Sequence, residues 1–198
     1  MPLQKFENII PTNQFFKSKS IKMKKMKFLF AAILMLCSFQ TLHAQNAKDD
    51  MIKEWERAKI YTKEYLDAMP ADKYDLKPTP EMRSFAEQML HLTDANYGFT
   101  NAITGAKSPF GLGEAEKTAD KSKENVSKIV LAGYDFVIDN LKNTSPEQLT
   151  ETIKFMGRFE LTKGIAFNKC FEHQTHHRGQ TTVYIRLGGA KPPQEKLF

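Results

Sequence analysis

The chain has 198 residues, with 29 Lys+Arg against 23 Asp+Glu and two cysteines. The basic excess sits at the front: residues 1–44 hold seven of the 29 basic residues and one of the 23 acidic ones, leaving 22 of each behind them. A neutral body excludes the nucleic-acid and anionic-membrane readings that the whole-chain charge invites.

Lys24, Lys25 and Lys27 precede an apolar run from Phe28 to Leu36, which continues through Cys37 and Phe39 and closes at Leu42-His43-Ala44 before Gln45. Basic start, apolar core at about 28–39 and small residue at the cut describe a secretory signal peptide over 1–44. The run falls short of the ~20 apolar residues that span a bilayer, so no stable membrane anchor is expected after cleavage. Leu36 stands where lipid attachment at Cys37 would want a small residue. Met23 and Met26 are alternative starts to Met1. The expectation is export, to the periplasm or beyond.

Residues 45–198 are one domain's length, able to bury roughly two thirds of their unfolded surface. Their single cysteine, Cys170, rules out an internal disulfide even in an oxidising compartment. Met51, Trp55, Ala58, Thr62, Tyr65 and Met69 recur at helical steps and predict a first helix, ended by Pro70. Thr79-Pro80-Glu81 predicts the capped start of a second, carrying Phe85, Met89, Leu92, Phe99 and Ile103 to Gly105. The breaker-rich loop 105–113 comes next, and the connection 105–118 is either a lid or a surface crossing. A third helix carries Val126, Ile129, Val130, Gly133, Phe136, Val137 and Leu141. Ser145-Pro146-Glu147-Gln148 predicts a capped single turn. Ile153, Phe155, Gly157, Phe159 and Leu161 alternate, which predicts two short extended pieces around Gly157-Arg158. Thr162 then caps a last helix running to about Leu187. The set predicts an all-α four-helix bundle with a small extended or hairpin excursion before the last helix. Periodicity leaves its helix order open.

The last helix holds EHQTHHRGQ, residues 172–180. Helical spacing lets His173 share a face with either His176 or His177. The row Ala166, Cys170, His173, His177, Thr181, Tyr184, Leu187 is the expected inward face, which selects His173 and His177. His176 stacks with Glu172 instead, as an ion pair. Two inward imidazoles repel or desolvate badly unless something bridges them. On the second helix His91 lies in a row of small or polar residues, Ser84, Gln88, His91, Ala95 and Gly98, that opens space in a bundle interior. His91, His173 and His177 are therefore the candidate ligands of a divalent metal with an open position. Zinc, nickel and iron all suit imidazole. A zincin motif is excluded, because Gln174 stands where its general base must be. A di-iron carboxylate site is excluded for want of paired Glu-x-x-His motifs. Cys170 reads as a packed thiol, Arg178 as half of a structural ion pair, Gly179 as a point of close helix approach and Gln180 as a buried hydrogen-bonding group. No general base can be named.

His-x-x-x-His-Arg-Gly-Gln (173–180), the segment VYIRLGGAKPP (183–193) and RSFAEQMLHL (83–92) together resemble the DinB/YfiT-like superfamily over essentially all of 45–198. The resemblance implies a four-helix bundle holding a divalent metal on His91, His173 and His177, a small-molecule substrate and a homodimer. It also implies thiol-dependent transferase or isomerase chemistry in some relatives, which export would separate from the cytosolic thiols they use. Three readings follow: an exported metal-dependent transferase or hydrolase that activates a water or thiol nucleophile, a bundle with a structural metal, and an interaction bundle with none.

Overall fold

The computed structural model describes Met26, Met35 and residues 44–198. The signal-peptide reading otherwise lies outside the described residues. Gln45–Phe198 form one compact unit.

Helix α1 covers 44–68 and turns its Trp55, Ala58, Thr62, Tyr65 and Leu66 into the core. Pro70 stops it, and a 3-10 turn at Ala71–Lys73 leads on. Helix α2 is Phe85–Thr104. Its start lies later than Thr79-Pro80-Glu81 suggests. Thr79 to Met82 close a turn instead, with the Met82 amide on the Thr79 carbonyl at 3.1 Å. Ser84 and Glu87 form a reciprocal capping box, which satisfies two orphan amides and so outcompetes the upstream proline. Gly105, at φ 77°, closes the helix.

Helix α3 is Lys123–Asn143, α4 the single turn Pro146–Leu149 and α5 the helix Lys163–Leu187. Between α4 and α5, β1 (Thr152–Phe155) pairs antiparallel with β2 (Phe159–Thr162), Phe155 opposite Phe159. Met156 and Gly157 both have positive φ, the turn chirality that matches strand twist. Thr162 Oγ1 accepts from the Ile165 amide and caps α5. The expected all-α bundle with a hairpin before its last helix is the fold observed.

Helices α3 and α5 are each flanked by α1 and α2. Trp55 packs edge-on against Tyr134 of α3 and Phe171 of α5, while α2 runs along both of its neighbours. At Gly133 an added Cβ would sit 2.7 Å from Thr93 Cγ2, so this glycine lets α2 and α3 close up. The core between them is mainly apolar and is crossed by a polar seam. Tyr134 Oη donates to Gln174 Oε1 at 2.7 Å, and the Arg178 guanidinium, 5% exposed, bonds Gln174 Oε1 and the Ala58 carbonyl. Burial pushes the Tyr134 hydroxyl up to about 12, so it stays a donor.

Among the described residues Arg178 therefore has no ion-pair partner. Its charge is met by carbonyl-type acceptors and by the Tyr61 ring at 4.6 Å. Gly179 has no close approach either: nothing lies within 4 Å of an added Cβ. Mid-helix glycine without steric need is a cost, so Gly179→Ala should stabilise the protein by about 1 kcal/mol. Urea unfolding checks this, and a loss of stability would show that the position is crowded.

Candidate metal centre

The buried face of α5 includes Ala166, Cys170, Thr181 and Tyr184 of the expected row, together with Phe167, Gln174, Arg178 and Ile185 beside it. Leu187, placed on the inward face by spacing, is 57% exposed. His173 and His177 lie on the flank of the buried face, half-buried rather than sealed. His91 takes the matching half-buried place on α2. The three rings meet: centroids are 4.7 Å apart for His91–His177, 5.5 Å for His91–His173 and 4.3 Å for His173–His177. One ring nitrogen from each lies within 4.8 Å of the other two.

Desolvation, reinforced by the neighbouring imidazoles, lowers the His173 pKa to about 4 and that of His177 to about 3. Both are neutral at pH 7, with a lone pair to offer, as metal ligation requires. The metal-free protein should show the consequence. Unfolding returns these rings to their ordinary value of 6.5. As pH falls below that value, the unfolded chain takes up protons that the folded chain refuses until about 4 or 3, and stability drops through this window. Denaturant midpoints against pH should fall on acidification, and less so in His177→Ala; equal slopes would mean these rings are not desolvated.

Groups around the rings fix their tautomers. Glu116, from the loop after α2, places Oε2 3.3 Å from His91 Nδ1, a carboxylate neighbour that favours the tautomer with the proton on Nδ1 and the lone pair on Nε2. The other Glu116 oxygen accepts from Arg83 Nε at 2.7 Å. Asp94 of α2 holds that loop in place: its buried carboxylate accepts from the Ala115 and Glu116 amides, both at 2.9 Å. The Gln88 amide lies 2.9 Å from His177 Nδ1 and also contacts Gln180, whose own amide is 3.0 Å from His176 Nε2. Amide and ring orientations follow from the network rather than from atom positions. With both amides turned over, His176 Nε2–H donates to Gln180, Gln180 donates to the Gln88 oxygen, and that oxygen also accepts from His177 Nδ1–H. His177 Nε2 is then a free donor of its lone pair.

His173 completes the test of fit. Its Nδ1 is buried and has no hydrogen-bond partner among the described residues, a vacancy that a cation or its water satisfies. The residues fit a divalent metal.

Other expectations need correction. Glu172 pairs with Lys169 at 2.7 Å, not with His176. Gln180 is exposed, although it does hydrogen-bond. Cys170 is the packed thiol expected: fully buried, its Sγ 3.6 Å from Asn96 Oδ1, its pKa driven up by burial. Sequence reading missed Glu116 and Asp94. A loop carboxylate has no periodic signal, and the only hint was an aspartate at mid-helix, three residues after His91.

The DinB family model matches residues 42–197. The chain is 24% identical over 131 residues to the uncharacterised protein YjoA of Bacillus subtilis, covering 65% of this chain and 82% of that one. Among solved structures, a DinB-like protein of Bacillus cereus superposes with TM-score 0.66 at 19% identity, over 75% of this chain and 97% of that one. YfiT of Bacillus subtilis, described as a probable metal-dependent hydrolase with an unusual four-helix bundle topology, does so with TM-score 0.55 at 18% identity, over 72% and 87%. A bundle with a hairpin before its last helix, three convergent histidines and a family match across the whole described unit lead to one conclusion: this chain belongs to the DinB family.

Proposed function

We propose that this protein is a metal-dependent enzyme of hydrolytic or group-transfer type, with His91, His173 and His177 as the ligands of one divalent cation. The observation that carries this is the convergence of three donor nitrogens within 4.8 Å. Held on imidazoles with an open position, such an ion lowers the pKa of a bound water or thiol toward neutrality and polarises a carbonyl. The chain's own groups prepare that state. Glu116 and Gln88 hold two rings by their outer nitrogens, and burial keeps His173 and His177 neutral. Arg83, paired with Glu116, lines a polar cleft of about 480 Å³ together with Gln88 and Gln180. The likeness in fold to YfiT supports the hydrolytic branch. Export, as read from the leader, favours water over a cytosolic thiol as nucleophile.

A catalytic rather than structural role is supported by the large core that lies away from the site. Trp55, Phe85, Tyr134 and Phe167 are buried without reference to the histidines. Protein purified without a histidine tag should hold one metal per chain, and chelation should leave it folded, with a melting temperature lower only by the lost binding energy. Collapse of the helical signal on chelation would make the metal structural, and the absence of metal binding would remove this reading.

A further inference from the structure

A second, apolar cleft of about 510 Å³ opens along α2 beyond His91. Gly98 and Phe99 follow His91 by seven and eight residues, two helical turns along the same face. Tyr97 and Phe110 form one wall, their rings 5.9 Å apart. Phe99 forms another, its ring 4.9 Å from that of Phe155 and 6.0 Å from that of His173. The rim carries two large apolar side chains facing solvent, Leu112 at 83% exposure and Met156 at 58%. Leu112 Cδ1 sits 3.0 Å from where a Cβ on Gly98 would be, so the absent side chain makes room for it. Nothing in the core requires Leu112 or Met156 to be apolar. Exposed apolar residues around a concave site of this volume are what a small-molecule pocket presents.

We propose that this cleft takes an apolar acyl or aryl group of the substrate, with Phe99 as the wall shared between that group and the histidine centre. The proposal rests on the metal-centre reading and adds the substrate class: a compound whose reacting polar group is attached to an apolar moiety, not a small fully polar one. A chelating head of constant chemistry with tails of different size tests it. Zinc-loaded protein is titrated calorimetrically with acetohydroxamate, hexanohydroxamate and 3-phenylpropanohydroxamate. Burying the added carbons should tighten binding by about tenfold or more over acetohydroxamate. Leu112→Ser with Met156→Ser should remove most of that gain and leave acetohydroxamate unchanged. Ala102→Phe, which fills the cleft from α2, should do the same. Acetohydroxamate binding with no gain from either tail would overturn the cleft proposal and leave the metal centre standing. Failure of acetohydroxamate itself to bind would overturn both. A dimer that Leu112→Ser with Met156→Ser converts to monomer, again with no tail gain, would show that a second copy covers the cleft instead.

Discussion

His91→Ala should weaken metal binding by several orders of magnitude while leaving the helical circular dichroism signal intact. His173 and His177 come from one helix, and alone they give two ligands with no third. His91 supplies the ligand from α2, and its ring lies 4.7 Å from that of His177. Its removal costs little elsewhere, because the side chain is half-buried at the edge of the bundle and makes one polar contact, to Glu116. Competition against a zinc indicator gives the affinity directly. Near-unchanged affinity in His91→Ala would show that α5 binds the ion without α2.

Asp94→Ala should damage both the fold and the metal centre. It leaves the Ala115 and Glu116 amides without acceptors, and Ala115 is fully buried. Charge-assisted hydrogen bonds and the desolvation left behind put the loss at about 3 kcal/mol. It also frees the loop that carries Glu116, so His91 loses the carboxylate that orients it. Loss of such a partner costs metal affinity by roughly 10- to 100-fold. Glu116→Gln separates the two effects: it should keep the stability, since the backbone latch remains, and lose part of the affinity. Equal metal affinity in wild type, Asp94→Ala and Glu116→Gln would show that the loop plays no part in the centre.

The bundle was legible because its signals are periodic. Trp55, Ala58 and Thr62 repeat on α1, Val126, Val130 and Val137 on α3, and the alternation of Phe155 and Phe159 around Gly157 announced the hairpin. The histidines were legible for the same reason, since 173 and 177 are one turn apart and only 91 remained to join them. What periodicity does not carry was misjudged. The start of α2 depends on a side-chain cap competition between Thr79 and Ser84. The facing of α5 depends on Gln174 and Arg178, polar residues that burial accepts because Tyr134 and Ala58 offer partners. Spacing left both out of the inward row and put His173, His177 and Leu187 in it. Glu116 is brought to the site by a loop whose course is fixed by one carboxylate, a long-range contact with no local pattern.

The central claim is that one cation is shared by three imidazoles from two helices. X-ray absorption on untagged, zinc-loaded protein counts the ligands directly. The account predicts one zinc per chain with three imidazole nitrogens and a lighter oxygen ligand at ~2.0 Å, falling to two imidazoles in His91→Ala. Two or fewer imidazoles in the wild type, or a sulfur ligand from Cys170, would contradict it.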